Sequence, residues 1–98
     1  MNVSKCGRLK VGDVVSHFKR DEYLANNVEN PINNMYLYRI IGFATHTETK
    51  EELVVYQALY LQDDEYKIYC RPYDMFMSEV DKEKYPNAKQ KYRLELMK

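Results

Sequence analysis

The hydrophobic residues of this chain fall into short runs separated by polar turns, a pattern typical of β-strands. Four of these runs are rich in β-branched and aromatic residues, and they cover residues 14–18, 36–45, 53–61 and 66–71. Near the end, Tyr92, Leu94 and Leu96 occupy alternate positions. Because a strand turns successive side chains to opposite faces, this alternation predicts a fifth strand. The pattern therefore indicates a chain built mainly from β-strands.

Three local signals shape the predicted sheet. Gly42 interrupts the second run, and a glycine inside a strand usually marks a bulge or a sharp coil. The pair Asp63-Asp64 predicts a tight turn, because aspartate tolerates the left-handed backbone region better than most residues. Pro72 ends the fourth run and favours a short helix or a 3₁₀ segment over residues 73–80.

Together these elements predict the all-β class, mainly β with one short helix, folded as a small SH3-like, partly open five-stranded barrel. Closing most of the sheet hides strand edges that would otherwise promote aggregation. An antiparallel sheet packed by one helix is the alternative.

The length of 98 residues allows one hydrophobic core. We expect a loose N-terminal lead-in over residues 1–10 and a single β domain over residues 11–98. Within the domain, residues 21–35 are an asparagine-rich loop insertion, a composition that favours turns over regular structure. Residues 21–25 fit one helical turn and no more.

The charge balance and the cysteines restrict the partners and the cellular compartment that we expect for this protein. Fifteen basic and fifteen acidic residues cancel, so no overall field attracts nucleic acid or an anionic membrane. The start lacks the apolar run of a signal peptide, and no stretch approaches the ~20 apolar residues of a membrane span. We therefore expect a cytoplasmic protein with no membrane partner. Cys6 and Cys70 match no zinc spacing, and we expect two free thiols, with Cys70 buried in its strand.

Several strings of the sequence resemble those of one family. They are GDVV at 12–15, HFK at 17–19, YRIIG at 38–42, HTETKEELVVY at 46–56, and Arg71-Pro72 followed by Met75-Phe76. On these strings, residues 11–96 resemble the bacterial DUF1653 family, whose function is unknown. The resemblance implies a small bacterial domain and supplies no activity, cofactor or site residue. Residues 21–35 are longer than the corresponding stretch of the shorter members.

Polar residues at the predicted strand ends are the candidate binding residues. If the loop after the second strand meets the ends of the first and fourth strands at one barrel rim, five side chains converge there: His17, His46, Glu48, Arg71 and Tyr73. Arginine can hold a carboxylate or a phosphate through two hydrogen bonds. Because function tends to collect at such positions, we predict a non-catalytic binding module for a small anionic ligand or a peptide.

A second function, single-stranded RNA binding, follows from the tyrosine content. Seven tyrosines interleave with basic residues, and small barrels can stack bases on such rings. These are Tyr36, Tyr38, Tyr56, Tyr60, Tyr66, Tyr69 and Tyr73. The same rings can simply fill the core, and neighbouring acidic residues argue against a continuous groove. Nucleic acid is therefore a partner that we do not favour.

A third function, a small enzyme or metal protein, would use His46 and Glu48, which have the spacing of two ligands on one strand face. Residues 46–49 are also explained as a loop whose side chains bond to nearby backbone amides. No serine or cysteine lies in a nucleophile motif, and no glycine-rich phosphate loop is present. Catalysis is therefore less favoured than binding, and we expect no cofactor.

Overall fold

A computed structural model of the chain describes residues 7–97, and its five strands form one antiparallel sheet. The strands are β1 (Val14–His17), β2 (Leu37–Thr45), β3 (Glu52–Ala58), β4 (Ile68–Pro72) and β5 (Leu94–Leu96). Two short helices lie between them, α1 (Arg20–Asn26) after β1 and α2 (Tyr73–Phe76) after β4. In the described part of the chain, neither helix has the length and apolar character needed to cross a membrane. The predicted all-β class is confirmed.

The strands lie in the order β4-β3-β2-β1-β5. The chain thus forms a meander from β1 to β4 and then returns to place β5 beside β1, with His17 opposite Leu94. β4 and β5 are the two edges, and within residues 7–97 the sheet does not close between them. This arrangement agrees with the predicted partly open, five-stranded barrel.

The irregularity expected at Gly42 is a β-bulge in β2. Ile40 pairs with Tyr56, whereas Gly42 pairs with the next residue of β3, Val55, so Ile41 is the extra residue. A bulge bends its strand and increases the local twist of the sheet. β2 therefore coils, as the mid-strand glycine predicted.

The turn expected at Asp63-Asp64 is also present. Both residues have positive φ angles, 50° and 64°, as the two central residues of a type I′ turn require. Gln62 and Glu65 form an antiparallel bridge on either side of it. The aspartates thus take the place that asparagine and glycine usually occupy in such turns.

The core is a single cluster of buried side chains on one face of the sheet. Its members are Leu9, Val15, Tyr38, Ile40, Val54, Tyr56, Ala58, Tyr60, Phe76 and Leu94. Alternation explains the pattern in β3, where Val54, Tyr56 and Ala58 are buried and the residues between them are half-buried. The fully buried ring of Phe76, from α2, lies 5.0 Å from the ring of Tyr56, centroid to centroid. α2 therefore completes the core.

Three local predictions were wrong. The structure has two short helices rather than one, because α1 extends over seven residues of the insertion. Cys70 is exposed, since β4 is an edge strand whose alternation turns this side chain to the outer face. Leu9, in the predicted loose lead-in, is only 1% exposed and belongs to the core. Cys6 lies outside the described residues.

Candidate functional site

A cavity of about 210 Å³ lies between the two edge strands, where the sheet does not close. β4 contributes Arg71 to its wall, and β5 contributes Leu94. The other lining residues come from β1, from the turn after it, and from β2 and β3: His17, Lys19, Tyr36, Tyr38 and Tyr56. The cavity therefore combines basic and aromatic side chains that are far apart in the sequence.

Arg71 faces the core side of β4. It pairs with the fully buried Val54, and paired residues on neighbouring strands project from the same face of a sheet. Its guanidinium lies near the hydroxyl of Tyr56 and opposes the rise that burial causes in the pKa of that group. A guanidinium has five N–H donors, and no carboxylate among residues 7–97 forms an ion pair with Arg71. Donors therefore remain for a ligand.

His17 lines the cavity as a neutral imidazole with one N–H donor. Its Nδ1 atom accepts the backbone N–H of Lys19 at 3.2 Å, which places the imidazole proton on Nε2. Burial first, and then the charges of Lys19, Arg71 and Arg93, lower the pKa of His17 to about 4. The ring also stacks against Phe18 and Tyr36, with centroids at 4.6 Å and 5.4 Å. His17 is thus held in one orientation and one protonation state near neutral pH.

Tyr36 has a backbone conformation that is uncommon for a bulky residue. Its φ angle is 66°, in the left-handed region, which costs an L-residue about 1–2 kcal/mol. The backbone N–H of His17 donates to the carbonyl oxygen of Tyr36 at 3.0 Å and holds the two residues together. Strained backbone of this kind is often found at binding sites, and Tyr36 is a lining residue of this cavity.

The tyrosine hydroxyls behind the cavity form a neutral cluster. Tyr38 and Tyr60 share a buried hydrogen bond of 2.8 Å, and the rings of Tyr38 and Tyr56 meet edge to face at 5.3 Å. Burial raises the pKa of all three hydroxyls above the ordinary tyrosine value. The aromatic wall therefore adds no negative charge at neutral pH.

The lining residues of this cavity differ in charge from those of two larger cavities. A cavity of about 400 Å³ beside α1 is lined by both signs, with Asp21 and Glu22 opposite Lys84 and Lys89. Another, of about 410 Å³, contains Glu51, Glu52 and Asp74, with no basic residue among its described lining residues. The lining that residues 7–97 give to the cavity at Arg71 has two cations and no carboxylate. We therefore take it as the candidate site despite its smaller volume.

The structure brings together two of the five residues that the sequence predicted to converge. His17 and Arg71 line the same cavity, whereas Tyr73 lines two others, of about 140 and 410 Å³. His46 lies in the β2–β3 loop, where its Nδ1 atom accepts the backbone N–H groups of Glu48 and Thr49 at 3.1 and 3.3 Å. This loop role explains the histidine that opens the HTET string.

The separation of the predicted residues has a geometric cause. The backbone of His17 bonds to the residue just before β2, whereas His46 follows the last residue of β2. Nine strand residues at about 3.3 Å each put roughly 30 Å of strand between these positions. Arg71 reaches the cavity because β4 borders the open side of the coiled sheet.

Sequence reasoning did not place Lys19, Tyr36, Tyr38, Tyr56 or Leu94 in the binding site. Lys19 could have been included, since it lies two residues after the predicted site residue His17. The sequence shows that tyrosines are abundant but not which of them line one cavity, because cross-strand register decides which side chains meet.

The exposure of the tyrosines bears on the RNA hypothesis. Tyr38, Tyr56 and Tyr60 are each less than 10% exposed and belong to the core, whereas Tyr66 is 52% exposed. A flat outer platform for stacked bases therefore lacks three of the rings on which the hypothesis rested. Within residues 7–97, no three His, Cys, Asp or Glu side chains are grouped as a metal site would require.

Comparison with known families agrees with the sequence strings. The model of the family DUF1653, described as a protein of unknown function, matches residues 13–95. The chain belongs to this family. No curated protein and no solved structure matches it. In this DUF1653 domain the matched region includes every residue that lines the cavity.

Proposed function

We propose that this DUF1653 domain is a non-catalytic binding module that takes a small anionic group into the cavity between β4 and β5. The observation that carries the proposal is the Arg71 guanidinium, which lines the cavity and has no ion-pair partner among residues 7–97. Lys19 adds a second positive charge, and the Nε2–H of His17 adds a neutral donor. An anion would satisfy all three groups.

The volume of the cavity limits the ligand. Pockets for drug-sized molecules measure about 300–1,000 Å³, so 210 Å³ suits a compact group rather than a whole nucleotide. The anion is therefore a small molecule, or a single acidic group at the end of a peptide segment. Either form leaves the aromatic wall to pack against the apolar part of the ligand.

An NMR titration of the labelled domain with small anions at low salt tests this function. We expect acetate, benzoate, sulfate or phosphate to shift the amide signals of residues 17–19 and 71. Charge-assisted hydrogen bonds contribute about 1.5–3 kcal/mol, so Arg71→Gln should weaken binding at least tenfold. If every anion left these signals unmoved at millimolar concentration, the proposal would be wrong.

Two matched variants serve as controls for this titration. Lys89→Gln removes a positive charge that lines the larger cavity beside α1, and it should leave the affinity unchanged. His46→Asn keeps an acceptor for the loop amides at a position away from the cavity, and it should also bind as the natural chain does. A loss in either control equal to that of Arg71→Gln would indicate a nonspecific charge effect or a different site.

The exposed thiol of Cys70 supports a cytoplasmic location for this module, since reducing compartments keep such thiols free. Recovery of the protein from cells with Cys70 in a disulfide would contradict this assignment.

A further inference from the structure

We infer that the anion bound between β4 and β5 is a phosphate monoester in its doubly charged form, carried on a flat or apolar stem. The inference rests on the proposed function and narrows it, since a carboxylate would also satisfy a general anion site. Three properties of the cavity favour the phosphate: its net charge, its donor set and its walls.

The charge of the lining residues matches a dianion. Among the described residues of the lining, Lys19 and Arg71 are the cations. Burial keeps His17 uncharged near pH 7 and raises the pKa of the hydroxyls of Tyr38 and Tyr56. A single carboxylate would leave one of the two charges unbalanced, whereas a phosphate monoester carries a charge of about −1.5 to −2 at pH 7. Arg93, close enough to lower the pKa of His17, adds to the positive potential.

The donors of the cavity also exceed what a carboxylate needs. Arg71 offers a planar fork, and His17 offers Nε2–H. Lys19 offers an ammonium group that lies 5.5 Å from the ring centroid of Tyr85 and would turn toward the anion on binding. A phosphate monoester has three terminal oxygens. The guanidinium of Arg71 would bind two of them in parallel, the ammonium of Lys19 would act as a point charge on the third, and His17 Nε2–H would donate to a remaining lone pair of one of these oxygens.

The walls of the cavity fit an apolar stem rather than a polar one. Tyr36, Tyr38 and Tyr56 present ring surface, and Leu94 presents an aliphatic side chain that is 2% exposed. The hydroxyl of Tyr38 is already bonded to that of Tyr60. An aromatic ring attached to the phosphate would pack against these rings, so phenyl phosphate is the suitable probe.

The test compares phenyl phosphate with benzoate and phenol by calorimetry on the whole chain at pH 7.5 and low salt. We expect phenyl phosphate to bind at least tenfold more tightly than benzoate, and phenol not to bind measurably. Lys19→Gln should weaken phenyl phosphate at least threefold and leave benzoate within twofold, because this exposed lysine balances the second charge. Lys89→Gln is the control and should affect neither ligand.

The pH dependence of the affinity provides a second, independent measurement. The second proton of a phosphate monoester leaves near pH 6, so the dianion fraction rises about tenfold from pH 5 to pH 7.5. Lys19, Arg71 and Arg93 are the charged groups that face His17. Burial, together with these charges, lowers the pKa of His17 to about 4, below this range. The dissociation constant for phenyl phosphate should therefore be about tenfold larger at pH 5, with folding at pH 5 verified by circular dichroism.

Each outcome decides the inference. Equal affinities for phenyl phosphate and benzoate, or a dissociation constant that is the same at pH 5 and 7.5, would overturn the phosphate assignment and leave anion binding intact. Failure of both ligands to bind at 10 mM would overturn the proposed function as well. A phosphotyrosine peptide identifies the source, because binding tighter than that of phenyl phosphate indicates a protein-borne phosphate and equal binding indicates a free metabolite.

Discussion

The two histidines of this chain have the same local role. In each case Nδ1 accepts backbone N–H from residues two or three positions later, Lys19 for His17 and Glu48 with Thr49 for His46. This resembles the turns in which an aspartate or asparagine side chain bonds to its own backbone two residues on. Only His17 also lines a cavity, so the candidate site uses one histidine whose orientation the local turn has already set.

The buried imidazole of His17 should make folding stability depend on pH. The pKa of His17 is about 4 in the fold and near 6.5 in the unfolded chain. As the pH falls from 6.5 to 4, the unfolded chain gains a proton that the folded chain does not, so the free energy of unfolding decreases. We expect a loss of about 2 kcal/mol, a figure reduced for the partial exposure of the ring.

Urea unfolding at pH 7 and pH 4 measures this effect. His17→Asn keeps an acceptor for the Lys19 amide and cannot titrate. Between pH 7 and pH 4 the free energy of unfolding of this variant should therefore decrease by about 2 kcal/mol less than that of the natural chain. The carboxylates are the same in both proteins, so the difference between the two curves isolates His17. Parallel curves would show that the imidazole titrates equally in the folded and unfolded chains.

At the scale of elements, turns and one bulge decide how the strands follow one another. Gly42 marks the bulge in β2, and Gly12 lies in the turn that leads into β1, where the backbone N–H of Asp13 donates to the carbonyl oxygen of Lys10. The two glycines have different physical reasons for being there. Gly12 has a φ of 93°, which L side chains rarely adopt, whereas the φ of Gly42 lies outside that region.

This difference predicts opposite tolerance to alanine. A Cβ atom at either position would meet no atom within 4 Å. Steric clashes therefore do not contribute to the difference in stability between the two alanine variants. Gly12→Ala should lower the free energy of unfolding by about 1–2 kcal/mol through backbone strain, and Gly42→Ala should change it by less than about 0.5 kcal/mol. Thermal and urea unfolding of the two variants measure the contrast. Equal losses would mean that the positive φ of Gly12 has no energetic weight.

At the scale of the whole molecule, small elements outside the sheet complete the core. Leu9 comes from the segment before β1 and Phe76 comes from the four-residue helix α2, and each is no more than 1% exposed. The open side of the sheet keeps a cavity because β4 and β5 do not pair. The domain therefore has a well-packed core next to a cavity that strand pairing leaves open.

Removing the ring of Phe76 should test how far α2 supports the fold. Substituting alanine for a buried phenylalanine typically lowers the free energy of unfolding by about 3–5 kcal/mol. This is a large part of the ~5–15 kcal/mol by which a small domain is stable. Phe76→Ala should therefore lower the urea midpoint strongly, whereas Phe76→Leu, which keeps most of the volume, should cost less than about 1.5 kcal/mol. A loss below 1 kcal/mol for Phe76→Ala would show that α2 packs independently of the core.

Local signals were enough to predict much of this fold and little of its site. The strands, the bulge at Gly42 and the turn at Asp63-Asp64 follow from side-chain period and backbone preference, which act within a few residues. The exposure of Cys70 and the burial of Leu9 do not follow from local signals. Cys70 is exposed because β4 lies at the edge of the sheet, and Leu9 is buried because its segment covers the core.

The sequence by itself determined the five-stranded β class, the interruptions in the strands, and the basic and aromatic residue types available for a site. Only the tertiary structure decided that Arg71 meets His17 and that His46 does not. The physical reason is that strand order, register and the coil of the sheet are long-range properties. His17, His46 and Arg71 are equally prominent in the sequence. Strand pairing brings His17 and Arg71 to one cavity and leaves about 30 Å of strand between His17 and His46.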